Sequence, residues 1–317
     1  MSKFIDALID EVRESTENEE FDDVVGLSEE EIIKFINDAH YRLHAKIIAQ
    51  HPDVFIETEE QDIVGDQEAY AINFKAAFKT RVAKVEFSHD GNADNYYPLS
   101  PTTLFRRDSG IEGHPVNYIR RNGEILLTPV PSSSQGKLRI AYTRKVKRMD
   151  KRRCTIVTIN GTATAPTSLE VNYVNGSTVD SAELAKRTRL TIVDKYGDVQ
   201  MDNILLGSIG ASVGGNDALL TLDTALWTPI SGESITTSHY VLSGRFSTTH
   251  SELEEEVERY IQAYVTWKIL KRDSSVDSQE AIQELAQIEN DIIDSYADMS
   301  DDTMEIPEIN DTYDGWN

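Results

Sequence analysis

Two histidines four residues apart are the first candidates for chemistry in this sequence. His40 and His44 have the helical spacing that can present two imidazoles to one zinc ion. The glutamate of an HExxH metalloprotease motif is missing, because residue 41 is tyrosine, and no third ligand is evident. We therefore interpret the pair as surface or interhelical histidines.

Three further patterns match functional motifs only in part. The glycines of 207–215 lack the Lys-Ser/Thr pair that a phosphate-binding loop requires. Asp194, Asp198 and Asp202 are four residues apart, whereas an EF-hand loop places its calcium ligands at alternate positions. Cys154 has no indicated histidine partner and reads as a small buried residue. The sequence thus predicts no catalytic residue, no cofactor and no metal site, and a protein that is not an enzyme.

Charge is distributed unevenly along the chain. The formal net charge of −24 consists of −15 over residues 1–70, +10 over 71–153, −5 over 154–244 and −14 over 245–317. Such a distribution favours a subunit that fits against copies of itself or around a polyanion, because complementary charge steers encounter and fixes register. A net acidic surface repels DNA, which suits a wall past which DNA must slide.

One short segment concentrates the positive charge. The run from 144 to 153 has seven basic residues and one acid, Asp150. The seven candidate contact residues are Arg144, Lys145, Lys147, Arg148, Lys151, Arg152 and Arg153. Their partner could be an acidic surface of a neighbouring subunit, which the acidic chain ends favour, or DNA. The alternative is a solvated strand end and linker without a partner.

Composition places the chain among soluble globular proteins. Its 317 residues are 39% hydrophobic and 27% charged, and they suffice for two or three domains. No apolar run is long enough to span a membrane, and the acidic N-terminus lacks the basic flank of a signal peptide. The single cysteine excludes an internal disulfide and fits a reducing cytoplasm.

Helical spacing of apolar residues marks both ends of the chain. It predicts helices at 3–14, 28–50, 251–272 and 278–298. Ser28 with Glu31 forms the pattern of a capping box at the start of the second helix. The two C-terminal helices should pack antiparallel, and the helix at 28–50 should pack against them, which brings the chain ends together.

The middle of the chain predicts strands, and the whole an α+β fold. Residues 54–153 read as a small β-barrel or sandwich, with Asn122-Gly123 as its best hairpin turn. Residues 154–244 read as an inserted β-sandwich unit. The predicted domains are 1–53 (N-terminal helices, forming a helical module with 245–298), 54–153, 154–244, 245–298 (C-terminal helical hairpin) and 299–317 (acidic tail).

The acidic tail combines two opposite signals. Residues 298–317 hold seven acids and no base, a composition typical of a disordered segment. A purely solvating tail does not need the apolar residues that recur along it, which are Ile306, Ile309, Tyr313 and Trp316. These four residues are candidates for docking onto a partner.

A family resemblance covers residues 25–150 and 245–298. It rests on the order of a capped helix, two short motifs, a hairpin and a strand that leads into the basic run: Leu27–Asn37, Tyr97-Pro98-Leu99, Gly113–Tyr118, Asn122–Pro131 and Tyr142-Thr143-Arg144. In this order and composition the chain resembles the head-to-tail adaptor (connector) proteins of tailed bacteriophages, including the tail-tube "A" proteins of short-tailed phages. Residues 154–243 have no counterpart in this pattern.

The resemblance implies a structural virion protein of the neck or tail, made in the host cytoplasm. It implies a homo-oligomeric ring of twelve copies, docked between the portal protein and the tail or nozzle proteins. Genomic DNA would pass through its lumen without sequence-specific binding, and no membrane would be involved. By position alone, the tail residues 306–316 correspond to the segment that can insert into the portal.

Two other readings stay open at this point. In the first, the chain is a binding module whose β domain at 154–243 recognises a host glycan or another virion protein, while the helices only anchor it. In the second, the basic run binds DNA, with an affinity that falls steeply as salt rises.

Overall fold

The computed structural model describes residues 3–17, 28–73, 75–77, 82–91, 95–104, 112–212, 214–224, 233–253, 256–272 and 278–301. They form an α+β fold, which confirms the predicted class. The chain divides into two compact units, each built from two separate stretches of sequence. Unit 1 consists of residues 1–43 and 146–289, and unit 2 consists of residues 44–145 and 290–317.

Of the helices that the structure describes, four lie toward the chain ends, as the apolar spacing indicates, and one lies in the middle of the chain. They are α1 (Ile5–Glu17), α2 (Glu29–Gln50), α3 (Ser177–Ala185), α4 (Glu256–Arg272) and α5 (Ser278–Asp301). The predicted capping box precedes α2: the Ser28 N–H donates to Glu31 Oε2 at 3.2 Å, and the Glu31 N–H donates to Ser28 Oγ at 3.3 Å. This box satisfies backbone donors that the first turn of the helix leaves without partners.

Within unit 1, helix α1 packs on helix α4. The apolar face of α1 is fully buried through Ile5, Leu8, Ile9 and Val12. Gln262 Nε2 of α4 donates to Ser15 Oγ of α1 at 2.8 Å. The N-terminal helix α1 is thus held against a helix from the C-terminal part of the chain, while the full helical module of 1–53 with 245–298 stays a prediction.

One position of the predicted helical stripes is wrong. Ile282, expected on the buried face of α5, is 46% exposed. The buried positions of this helix begin one turn later, at Leu285. Apolar spacing marks one face of the helix but does not show how far along that face the neighbouring residues reach, and at Ile282 they do not cover the side chain.

Unit 2 is a small β structure with its own core. Its strands are β1 (Ile56–Asp62), β2 (Ala69–Ala71), β3 (Val82–Ser88), β4 (Tyr96–Pro98), β5 (Ser100–Pro101), β6 (Glu112–Gly113), β7 (Asn117–Arg121), β8 (Glu124–Thr128), β9 (Val130–Pro131) and β10 (Lys137–Thr143). They form two four-stranded sheets, β1-β10-β3-β4 and β2-β8-β7-β5, and a two-stranded sheet, β6-β9. Residues of both four-stranded sheets share one core, including Phe87, Ile125 and Ile140.

The strongest turn signal of the sequence is confirmed in unit 2. Strands β7 and β8 pair antiparallel, with Arg121 opposite Glu124. Asn122 and Gly123 form the turn with φ angles of 49° and 84°. Two consecutive positive φ angles match the right-handed twist of the strands, which explains the Asn-Gly pair.

The inserted β region of unit 1 closes into a barrel. The strands of this unit are β11 (Arg148–Met149), which lies within the basic run, and, after the run, β12 (Cys154–Gly161), β13 (Pro166–Tyr173), β14 (Arg189–Val193), β15 (Val199–Gly210), β16 (Ala218–Leu222), β17 (Tyr240–Ser243) and β18 (Ser247–Thr248). Six of them close in the order β12-β13-β16-β15-β14-β17, and β11 pairs with β18. The sequence suggested a sandwich here, because alternation of apolar residues is the same in both architectures. Closure comes from β17, which pairs with both β12 and β14.

The barrel encloses a continuous apolar core. Its inward-facing side chains include Ile156, Leu169, Leu190, Ile204 and Leu220, all at most 1% exposed. A closed barrel has no free sheet edge, so the region is protected against edge-to-edge pairing.

Two properties of the described residues bear on function. None of the described helices is long and apolar enough to cross a membrane. Among the described residues, no group of three or more His, Cys, Asp or Glu side chains is arranged to hold a metal ion.

Candidate functional site

The basic run forms an extended connection that carries the short strand β11. Its side chains project toward acidic residues from distant parts of the sequence. In unit 1, Lys151 Nζ lies 2.7 Å from Glu29 Oε2 and 3.6 Å from Asp6 Oδ1. The hydrogen bond from Lys151 holds the pKa of Glu29 below its usual range. An acid in the first turn of α2 also suits the helix dipole.

Arg153 lies at the centre of a buried ionic network in unit 1. Its side chain is 1% exposed, and its guanidinium binds the Glu30 carboxylate through both Nη atoms. Arg153 Nη2 also donates to Asp150 Oδ1 at 2.6 Å, and Nη1 lies 3.7 Å from Asp180 Oδ1. Burial alone would lower the pKa of Arg153, but the hydrogen bond to Glu30 and the charge of Asp150 raise it above its usual range.

The acids around Arg153 bind the backbone of the barrel. Asp150 Oδ2 accepts a hydrogen bond of 2.8 Å from the Ser243 N–H at the end of β17. Asp180 of α3 accepts a hydrogen bond of 2.7 Å from the Asn175 N–H and another from Asn175 Nδ2. Both carboxylates are fully buried. The network therefore joins the first turn of α2, the entry to the barrel, α3 and β17.

Three further members of the run have partners in unit 1. Lys147 donates to Glu252 twice, from its N–H at 2.7 Å and with its Nζ 2.9 Å from the carboxylate. Arg148 Nη1 donates to the Ser243 carbonyl at 2.9 Å. Arg152 lies between two aromatic rings, 4.9 Å from the centroid of Phe4 and 4.6 Å from that of Tyr240.

The first two members of the run belong to unit 2. Arg144 Nε lies 3.8 Å from Glu57 Oε2, and the Arg144 N–H donates to the Phe55 carbonyl at 2.7 Å. The Lys145 N–H donates to the Lys75 carbonyl at 2.9 Å.

The structure thus pairs the run with carboxylates and carbonyls of its own chain. The side-chain exposure falls from 24% at Arg144 and 27% at Lys147 to 12% at Lys151 and 1% at Arg153. A further contact of these residues with a neighbouring subunit, another partner or DNA stays a prediction. The four predicted docking residues of the tail, Ile306, Ile309, Tyr313 and Trp316, lie outside the described residues.

Sequence reasoning missed one polar residue that holds the run in place. Asn37 of α2 is 5% exposed, and its Oδ1 accepts a hydrogen bond of 2.9 Å from the Met149 N–H. Its Nδ2 donates to the Met149 carbonyl and to the Ile33 carbonyl, both at 2.8 Å. The only sequence signal was a small amide on the apolar side of a helix, which is also compatible with a helix surface.

The residues first considered for chemistry have structural partners. His40 Nε2 lies 3.3 Å from Ser251 Oγ, and His44 Nε2 donates to the Arg144 carbonyl at 3.0 Å. Cys154 lies in the barrel core, where burial raises the pKa of its thiol. Asp202 accepts hydrogen bonds from the Thr191 hydroxyl and the Phe246 N–H, each at 2.8 Å.

An open cleft of about 530 Å³ lies on the barrel between α3 and the ends of β13, β15 and β16. Its polar lining consists of Tyr173, Ser177, Thr178, Ser181 and Asp217. An aromatic ring with hydroxyl and carboxylate groups is suited to a ligand that presents both apolar faces and hydroxyls.

Together, these side chains hold distant segments of one chain in register, which is the property of a structural scaffold. Residues 5–150 match the family model of the SU10 adaptor protein. The resemblance to phage head-to-tail adaptors is confirmed over this segment, which is a little under half of the chain and ends before the barrel. No curated protein matches the chain.

Proposed function

We propose that the protein is a structural subunit of a phage virion, a head-to-tail adaptor in the neck. The observation that carries this proposal is the match of residues 5–150 to an adaptor family. The contact of α1 with α4 is compatible with it, because it ties the N-terminal helix to a helix from the C-terminal part of the chain.

In this proposal, twelve copies form a ring that joins the portal protein to the tail or nozzle proteins. Genomic DNA passes through the lumen without sequence-specific contacts. The net charge of −24 supports this part, because a wall with excess carboxylates does not retain phosphates. The acidic tail residues 306–316 are proposed to dock into the portal.

The assembly state tests the proposal. The full-length chain is purified and studied by native mass spectrometry and negative-stain imaging, with and without the portal protein of the same virus. We expect either a discrete large ring or a monomer that assembles on the portal. A monodisperse monomer that ignores the portal would contradict the adaptor function.

A second candidate function rests on the cleft of the barrel. The barrel lies outside the family match and carries its own core, so it is suited to a separate task. We propose as the alternative that it recognises a host glycan or another virion protein through the cleft lined by Tyr173 and Asp217. The helices of the chain would then serve only to anchor the barrel to the virion.

Filling the cleft distinguishes this alternative from the adaptor function. Thr178→Trp places an indole at an exposed lining position of α3 and should abolish attachment of virions to host cells while assembly is unchanged. Thr164→Trp, on an exposed turn of the same barrel, is the matched control. Attachment that is equal for both variants would exclude the cleft as a recognition site.

A further inference from the structure

A group of arginines in unit 1 extends beyond the basic run and was not apparent from the sequence. Arg148 Nη1 donates to the Ser243 carbonyl at 2.9 Å. Arg187, which follows α3, packs against Gly244, the residue after Ser243. If Gly244 had a Cβ atom, that atom would lie 3.1 Å from Arg187 Cδ. The two side chains therefore meet at one turn, although 39 residues separate them in sequence. We call Arg148 and Arg187 the arginine pair.

The arginine pair is not neutralised in the way that Arg153 is. Arg148 lies 3.6 Å from Asp150, whose carboxylate already binds Arg153 and the Ser243 N–H. Arg187 is exposed and forms no ion pair or side-chain hydrogen bond within the described part of the chain. Burial of part of its side chain and the positive charge of Arg148 lower the pKa of Arg187, and the charges of Asp150 and Glu183 offset part of this shift.

The surroundings of the pair favour an anion. The phenol of Tyr41, 41% exposed, lies in the field of both arginines. Arg245, the next residue after Gly244, is exposed as well. Holding like charges together costs free energy unless an opposite charge joins them, and a guanidinium binds planar carboxylates or phosphates through two parallel hydrogen bonds. The turn therefore presents a binding surface for such a group.

The chain itself has the complementary surface. Helix α5 (Ser278–Asp301) exposes carboxylates in its C-terminal half. Its carboxylates Asp291 and Asp294 are exposed, and neither forms an ion pair within the described residues. Exposed carboxylates without a cation gain Coulomb energy when cations from another molecule approach them.

We propose that the arginine pair of one copy binds the carboxylates Asp291 and Asp294 of α5 in a second copy. This inference rests on the proposed ring and names one of its contacts between subunits. Because the two surfaces differ, the contact is heterologous, and repeating it generates a ring when the rotation closes. An acidic chain favours this occupant over DNA, since each neighbour carries an excess of carboxylates while the net charge repels phosphates.

Charge reversal tests the contact in the full-length chain. Arg187→Glu and Asp294→Lys should each raise the dissociation constant of the assembly by about 10- to 100-fold in sedimentation velocity at 0.15 M salt. Combining both changes in one chain restores an opposite-charge pair and should return the constant to within a few-fold of wild type. Lys195→Glu is the matched control, because Lys195 is an exposed cation on a turn of the barrel whose ammonium lies over the Tyr196 ring.

The outcomes separate this inference from the adaptor function. If wild-type chains form rings and Arg187→Glu forms them equally well, the contact is wrong and the adaptor function stands. If the wild type assembles neither alone nor on the portal, both fail. If Arg187→Glu instead lowers the affinity for duplex DNA and leaves assembly intact, the surface serves phosphates and the proposed contact is overturned. Rescue by the double variant supports the contact, because a merely misfolded single variant would not recover.

Discussion

Replacing Arg153 with alanine should lower the free energy of unfolding by about 3–5 kcal/mol, the cost of breaking a buried ion pair from one side. Arg153 is the only cation within hydrogen-bonding distance of Asp150 in the described structure, and both Asp150 and Asp180 are fully buried. Without the guanidinium, Asp180 loses the charge of Arg153 and Asp150 keeps only Arg148 at 3.6 Å, in a medium where a poorly paired charge is costly. Urea denaturation monitored by circular dichroism measures the change.

The partners of Arg153 explain why lysine cannot replace it. The guanidinium binds Glu30 through two nitrogens and reaches Asp150 with the same Nη2, a fork that a single ammonium does not reproduce. Arg153→Lys should therefore recover less than half of the lost stability. Lys147→Ala is the control: its pair with Glu252 is partly exposed, and its loss should cost about 1 kcal/mol or less. Equal effects of Arg153→Ala and Lys147→Ala would show that the network is not the main tie between α2 and the barrel.

The same network explains the uneven charge distribution along the sequence. Lys151 and Glu29 are 122 residues apart, Arg153 and Glu30 are 123 apart, and Lys147 and Glu252 are 105 apart. A chain that pairs its charges over such distances must separate the signs in sequence even before it meets a partner. Segregated charge is therefore compatible with folding as well as with assembly, and it does not by itself indicate an interface.

Local signals predicted local structure well. The capping box of Ser28 and Glu31 and the turn at Asn122-Gly123 were predictable because each depends on a few adjacent residues. The stripe of α1 was predictable because burial of one helix face repeats every three to four residues. These features define the elements and the α+β class.

Contacts between residues far apart in the chain could not be predicted from the sequence. Closure of the barrel depends on β17 pairing with β12 and β14, which alternation of side chains does not encode. In the sequence nothing distinguishes Arg187 from the other basic residues. Its position over Gly244, close to Arg148, follows from the fold. The acidic partners of the basic run could be predicted as a class, since the chain ends are acidic, but not as Glu29, Glu30 and Glu252 individually.

Replacing Asn37 with alanine should lower the free energy of unfolding by about 2–4 kcal/mol, because two buried backbone groups of Met149 lose their partner. The Asn37 amide donates to the Met149 carbonyl and accepts from the Met149 N–H, so it acts on the connection as a neighbouring strand would. No water can replace it easily, since Met149 is fully buried. Thermal unfolding followed by circular dichroism should show a lower midpoint. Amide hydrogen exchange should increase most, relative to wild type, at 147–151.

Asp38→Ala supplies the matched control on the same helix. Asp38 is exposed one position further along α2, so its loss should change the free energy of unfolding by no more than about 0.5 kcal/mol. Faster exchange at 147–151 in the Asn37 variant alone would locate the effect at the connection that carries Arg148 and Lys151. If both variants unfold alike, the amide does not hold the basic run, and the ionic contacts of Lys151 and Arg153 must position it alone.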